Sequence, residues 1–422
     1  MMTRTFGLMG LLTIILASAF AQPPGGGPER GPGRGPGRGG PAGDGIWMRN
    51  AVLAESPTFD PCNAHQPPTG EYHYHDNPVC LRLQLNDNIH RDGTRYIENA
   101  APWRHSPILG WAYDGNPIYG PYGYSNPKDA GSPIARMRSG FRLRSISQRH
   151  AMARWAAELH GVDAQLDEQH YGPDVDSKHP LGWYVEDYEF LGSNGELDLF
   201  NGRYTVTPEF PGGTYAYFVT IDEKGQPAFP YVLGRQYFGA VPGRQGHVSA
   251  GTLEVFDSKQ PAAPLLSSWL TKYSHETAQV LDARNPEAGA ITTWPGQSKP
   301  AHPDVSEVLY SKDWVYVSGS GLASHTMGPW RDPGGGAFPN WPTDQSFQDR
   351  FPRSPQPATV KATNMLGPLG RWVNGVALFN MLDGASWSNR QKDDMMQGPG
   401  GPGGPGGPNG RGGPRRPPED EE

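Results

Sequence analysis

Two short patterns each occur twice along the chain, and their order constrains the fold more than any other feature. Phe59-Asp60-Pro61-Cys62-Asn63-Ala64-His65, followed by Tyr72-His73-Tyr74-His75, is matched by Leu197-Asp198-Leu199-Phe200-Asn201-Gly202-Arg203, followed by Tyr215-Ala216-Tyr217-Phe218. The run from Leu109 to Tyr119 is matched by the run from Leu369 to Phe379, each centred on Asp114-Gly115 or Asn374-Gly375. The order is therefore A–B–A′–B′, an internal two-fold sequence repeat. Asp-Gly or Asn-Gly between apolar runs is a strong hairpin signal. Tyrosines recurring with period two in both A segments read as strand. Further strand runs are Thr214 to Asp222, ending in the turn Glu223-Lys224-Gly225, and Asp313 to Ser318. The clearest helical stretch is Ser147 to Leu159. The expectation is a mainly β chain with few helices, a β-sandwich or barrel-like body carrying an internal two-fold repeat.

The body is bounded by composition. Residues 1–21 read as a signal peptide, with Arg4 in the n-region, Phe6 to Leu16 as a short apolar core and Ala19-Phe20-Ala21 as the cleavage site. The apolar run is shorter than the ~20 residues of a spanning helix, and no other segment is long and apolar enough, so no membrane span is expected after cleavage. The expected location is secreted or periplasmic. Residues 22–45 and 397–422 are rich in Gly, Pro and Arg, bury too little apolar surface to offset ordering entropy, and are expected to be disordered. Between them lies a β-rich body, 46–396, in two parts, 46–240 and 265–396. A formal net charge of −7 gives no reason to expect nucleic acid as a partner.

Chemistry concentrates in GEYHYHD, Gly70 to Asp76. On a strand, His73 and His75 share one face and Tyr72 and Tyr74 the other. Two imidazoles on one face can grip a metal ion, with His65, His105 and Asp60 as candidates to complete the set. The plainer alternative is a half-exposed strand whose imidazoles bond water or backbone. The second A segment keeps the tyrosines but carries Arg203, Ala216 and Phe218 where the first has histidine, so core packing alone does not require imidazole there. Asp114 reads as a turn former. His325 lies among glycines and aromatics, whereas His179 and the remaining histidines lack a tight motif and are expected at the surface. The two cysteines, Cys62 and Cys80, bracket the YHYH stretch. In an oxidising compartment they read as a disulfide, and closing such a loop stabilises by about 3 kcal/mol. A pair of thiolate ligands is the alternative.

GEYHYHDNPVC followed by HSPILGWAYDGNPIYGPYGY resembles the YHYH-domain family of exported proteins, and segments from VEDYEFLGSNGELDLFNGRY to LGRWVNGVALFNMLDGASW extend the resemblance over most of the body. In that family the segment resembling VYVSGSGL…VNGVALFN comes first. Here it lies C-terminal, so the resemblance implies a circularly permuted chain, opened between Trp387 and Trp47 and joined through about Val241 to Leu266. Trp47 and Trp387 are then expected to be near neighbours. The resemblance implies suspected metal-binding histidines and supplies no reaction.

The leading functional expectation is a divalent metal site of copper or zinc. Calcium would require Asp60, Asp76 and backbone carbonyls to dominate. A metal-dependent enzyme, hydrolytic or oxidative, would also need an acid or base such as Asp76 or Asp114. The chain has no HExxH, GxSxG or P-loop signature. A surface-adhesion or polymer-binding module is the third expectation, resting on 12 Trp and 18 Tyr.

Overall fold

Both hairpins form at the Asp-Gly and Asn-Gly pairs. Gly115 and Gly375 sit at φ 82° and 79°, the left-handed region that a side chain resists. Each turn folds one strand back on the last. The computed structural model describes residues 42–243, 254–255, 263–297, 299–364 and 366–396. The expected signal peptide, most of the 22–45 stretch, the 397–422 tail and much of the 241–266 linker lie outside the described residues.

The elements that position the site are, in chain order, β1 (Met48–Asn50), α1 (Ala51–Glu55), β2 (Ala64–His65), β3 (His73–Tyr74), α2 (Val79–Gln84), β4 (Ile108–Ala112), β5 (Pro117–Tyr119), α3 (Arg154–His160), β6 (Gly202–Thr205), β7 (Thr214–Phe218), β8 (Pro368–Trp372), β9 (Ala377–Phe379) and β10 (Leu382–Ser388). Eight of them form one sheet in the order β6-β7-β5-β4-β8-β9-β3-β2. Its centre is the antiparallel pair β4/β8, with Trp111 opposite Arg371. Moving outward on either side, an antiparallel hairpin comes next, then a parallel contact, then an antiparallel edge pair. The chain is mainly β with few helices.

The barrel-like form is not found. Among the described residues the large sheet ends in β6 on one side and β2 on the other, and does not close. Alternating side chains specify faces but not closure, which depends on strand number and stagger. A separate four-stranded sheet contains Val305–Tyr310, Trp314–Gly319 and Phe347–Pro352.

The expected helix at 147–159 begins only at Arg154. Upstream, the carbonyls of Ser147 and Arg149 accept from Val175 and Gly172, and the Arg149 guanidinium makes a bidentate pair with Asp187 at 2.7 and 2.8 Å. Tertiary bonding thus takes the residues that periodicity assigned to helix. Gly161 ends the helix in the left-handed conformation.

Trp111, Trp372, Tyr72, Tyr74, Tyr113, Tyr119, Tyr217 and Phe218 are fully buried in the main core. A smaller cluster joins Trp47, Tyr184 and Trp387. The Trp387 amide donates to the Trp47 carbonyl at 2.9 Å, so these two segments are direct neighbours.

The central seam requires glycine. A Cβ on Gly370 would lie 2.2 Å from the Trp111 carbonyl oxygen, and one on Gly110 would lie 2.8 Å from that of Arg371. Backbone cannot yield there as a side-chain tip can. Gly370→Ala should therefore destabilise by about 2 kcal/mol or more. Gly212→Ala, where an added Cβ meets nothing within 4 Å, should stay within about 0.5 kcal/mol of wild type. Paired denaturant titrations test this, and equal midpoints would refute it.

Candidate metal centre

The site is built where an edge hairpin meets a one-turn helix. β2 and β3 pair antiparallel with His65 opposite His73, which sets two imidazoles side by side. His75 follows His73 by two residues and joins the same face; the two rings lie 4.8 Å apart. Tyr72 and Tyr74 occupy the other face, their rings 5.7 Å apart. On the far side of β3, β9 runs parallel, pairing Ala377 with His73. It brings Phe379 against the His73 ring, stacked at 3.8 Å.

The fourth group, Glu55, was not among the sequence candidates. It ends α1, whose start is fixed by the Asn50 side chain accepting from the Val52 amide. Pro57 in the turn Ser56–Thr58 then redirects the chain. Glu55 Oε2 lies 2.9 Å from His75 Nε2 and 3.2 Å from His65 Nε2. His73 Nε2 is 3.0 Å from His75 Nε2. One ligand atom from each of Glu55, His65, His73 and His75 falls within 4.8 Å of every other. The cluster could hold a metal ion.

The tautomers are dictated by the surroundings. His73 Nδ1 faces the Glu71 carbonyl at 2.8 Å, and His75 Nδ1 faces the Asn380 carbonyl. A carbonyl only accepts, so each Nδ1 carries the proton. His65 Nδ1 is 2.7 Å from Thr58 Oγ1, whose own proton goes to the Glu55 carbonyl at 2.7 Å, so here too Nδ1 donates. With Nδ1 committed, each Nε2 is turned into the cluster, His65 and His75 toward Glu55 and His73 toward His75; a neutral ring presents a lone pair there, and only a second proton on the ring lets Nε2 donate. Imidazoles that ligate a metal are held this way, the second nitrogen donating to a fixed acceptor.

The convergence is electrostatically demanding. Burial pushes the His73 ring well below the usual histidine range, and the neighbouring charges of His65 and His75 add to that. His65 is also lowered, chiefly by burial, against the pull of Glu55. Burial would lower His75 too, but the Glu55 charge and hydrogen bond outweigh it and raise the ring. Burial would raise Glu55, yet the charge of His75 and hydrogen bonds from His65 and His75 hold it well below the usual carboxylate range. The Glu55 side chain is 25% exposed while that of His75 is 2% exposed, so the approach to the cluster is from the Glu55 side.

Asp60 lies outside this cluster. Its Oδ1 accepts from the amides of Cys62 and Ala64, and its Oδ2 accepts from the Tyr72 hydroxyl and the Gly328 amide. Two of these bonds close the turn and two tie it to Tyr72 and to the distant Gly328, and burial raises the carboxyl to about 6 against them. His105 is also elsewhere, packed edge-on to Tyr119 at 5.1 Å with Nδ1 donating to the Ser106 carbonyl. Asp114 anchors its hairpin, accepting from the Asn116 amide, the Tyr217 hydroxyl and the Gly239 amide. Asp76 is buried beside His75 with Oδ1 lacking a partner. It lines a cleft of about 610 Å³ shared with Phe59 and Asp60. His179, expected at the surface, is 5% exposed and packs on Trp387 and Tyr184.

Cys62 and Cys80 form a disulfide, so the thiolate alternative does not hold in this structure. It ties the Asp60 turn to α2, behind the tyrosine face. His325 sits between the two features: its Nε2 accepts from the Tyr74 hydroxyl at 2.7 Å, and its Nδ1 lies 3.5 Å from Cys62 Sγ.

The family model described as YHYH protein matches residues 23–230, a span containing Glu55, His65, His73 and His75. No curated protein and no solved structure matches the chain.

Burial lowers His325 from its ordinary 6.5 to about 4. Between those values the unfolded chain binds a proton that the folded state refuses, so stability is lost as pH falls through that window. His325→Gln, which keeps an acceptor for Tyr74, should make the loss between pH 6.5 and 4 shallower by up to one proton. Denaturant midpoints across that range decide it; an unchanged slope would assign the acid sensitivity elsewhere.

Proposed function

We propose that this chain, which belongs to the YHYH protein family, is a metal-binding protein that holds one divalent transition-metal ion through His65, His73, His75 and Glu55. One observation carries this reading. Three Nε2 atoms and a carboxylate oxygen converge while every Nδ1 proton is committed to a carbonyl or hydroxyl outside the cluster. With the rings neutral, four acceptors face each other; a second proton on His75, favoured by Glu55, relieves only part of that conflict. A cation at their centre removes that conflict.

Three imidazoles and one carboxylate suit copper or zinc. The set leaves calcium short of the six to eight oxygens it takes. Residues 1–21 support export as the setting, where the Cys62–Cys80 disulfide would persist. The permuted order belongs to the same reading, supported by the Trp47–Trp387 contact.

A second reading, a metal-dependent enzyme, draws on Asp76. Its unpartnered Oδ1, buried next to a ligand, is the kind of polar group that catalysis uses and folding does not require. When bound, a metal ion would supply Lewis acidity there.

Elemental analysis of the purified protein, before and after titration with copper or zinc, tests the main reading. About one equivalent is expected, falling to background in His73→Ala/His75→Ala and in Glu55→Ala. Thr58→Val removes the acceptor that orients His65, and should weaken affinity roughly tenfold or more without abolishing it. Bound metal should also raise the unfolding temperature of the wild type and leave that of the double variant unchanged. A protein that takes up neither metal, or a double variant that takes up as much as wild type, would sink the proposal.

A further inference from the structure

The Cys62–Cys80 disulfide belongs to a second group of ligand-type atoms. One atom from each of Cys62, Cys80 and His325 lies within 4.8 Å of the other two, and the group shares no residue with the Glu55 cluster. His325 Nδ1 is 3.5 Å from Cys62 Sγ and 3.2 Å from the Thr326 carbonyl. While the disulfide stands, that nitrogen carries the proton, because the carbonyl only accepts. The ring's other nitrogen, Nε2, meets the Tyr74 hydroxyl at 2.7 Å, a group able to donate or to accept. When the hydroxyl accepts, the proton sits on Nε2 and the Nδ1 lone pair is left facing Cys62 Sγ. An imidazole that ligates a metal is held in this way, its second nitrogen donating to a fixed oxygen.

The other sulfur is also prepared. Cys80 Sγ lies 2.9 Å from the Tyr96 hydroxyl, and a hydroxyl donating to sulfur favours thiolate over thiol once the disulfide is cut. Tyr96 lines the open cleft of about 610 Å³, so the sulfur pair lies directly behind a side chain of that cleft. Once freed, the two sulfurs need separate only to about 3.8 Å, the span of two Zn–S bonds of about 2.3 Å. Charge is balanced as well. Cys62 and Cys80 are 3% and 5% exposed, where an uncompensated charge is costly, and two thiolates with a neutral imidazole leave a zinc site with no net charge.

We propose that Cys62, Cys80 and His325 form a second metal site, closed while the disulfide stands and opened by its reduction, which takes one thiophilic cation, zinc or copper(I). Two thiolates and an imidazole suit either ion and are a poor set for calcium or magnesium. The reductant, a dithiol or a phosphine, supplies two electrons and is oxidised to its own disulfide or to the phosphine oxide. The sulfur–sulfur bond breaks, each sulfur takes a proton, and the metal displaces both protons to solvent as the two metal–sulfur bonds form. The ion then replaces the covalent link between the Asp60 turn and α2 and adds a tie to His325, from a segment 263 residues after Cys62. The same three residues thus hold this corner together in either redox state.

Titration of the full chain with cobalt(II), a coloured stand-in for zinc, tests it before and after reduction with a phosphine, which brings no thiol of its own. The disulfide form should give no sulfur-to-cobalt charge-transfer band, whatever the Glu55 cluster binds through nitrogen and oxygen. The reduced form, verified by its two free thiols, should develop that band to saturation, and zinc should bleach it. His325→Gln keeps both thiolates and should weaken cobalt binding roughly tenfold or more. Cys80→Ser should lose the saturating band. Should reduction unfold the chain, zinc should restore the native circular dichroism of the reduced wild type and not that of Cys62→Ser/Cys80→Ser. The proposal is overturned if the folded protein's disulfide resists the phosphine, if the reduced and folded wild type gives no such band, if His325→Gln binds cobalt as tightly as wild type, or if zinc fails to refold a chain that reduction has unfolded.

Discussion

The β4/β8 seam is the contact on which the rest of the sheet depends. Its glycines, Gly110 and Gly370, admit the facing backbone closely enough that a methyl group on either would overlap a carbonyl oxygen. Each seam strand then turns at a left-handed glycine into its hairpin partner, and each hairpin partner receives in parallel a strand from a distant part of the chain. β3 lies against β9, some 300 residues later in sequence, and β7 lies against β5. A shift at the seam would therefore move β9, and with it Phe379 and the Asn380 carbonyl that orient the His73 and His75 rings.

Much of this was legible in the sequence, and the limits have physical reasons. The Asp-Gly and Asn-Gly pairs located both central hairpins because a left-handed turn residue is a local requirement. Alternation placed the histidines on one face and the tyrosines on the other, because the period of a strand is also local. Pairing across the sheet is not local. The first A segment does not pair with the B segment that follows it; it pairs with the C-terminal one. No turn signal records that choice.

Glu55 was illegible for a related reason. It sits ten residues before His65, on a five-residue helix, with no motif around it. Its role arises only when Pro57 and the hairpin turn have folded the chain back. His105 and Asp60 were plausible from sequence proximity, yet proximity along an edge hairpin is a poor guide to convergence. Asp60 is held instead by its turn, by Tyr72 and by the Gly328 amide, and Asp198 makes the turn and tyrosine bonds too, to the Phe200 and Gly202 amides and the Tyr215 hydroxyl.

That likeness between the two ends of the sheet sharpens the case for the histidines. Arg203 and Ala216 pair across β6/β7 in the register that His65 and His73 use across β2/β3. Phe218 is buried at one end where His75 is buried at the other, stacking on Tyr119 and lying beneath Arg203. The scaffold thus folds with hydrocarbon at that position, and with no requirement for imidazole. At the β2/β3 end, three rings are instead buried with their Nε2 atoms converging beside a carboxylate. Burial works against a proton on all three, and only at His75 does Glu55 outweigh it. A sheet that needed only shape would not arrange four acceptors around one point, and a bound cation is the simplest occupant that turns the arrangement from a cost into a stabilising contact.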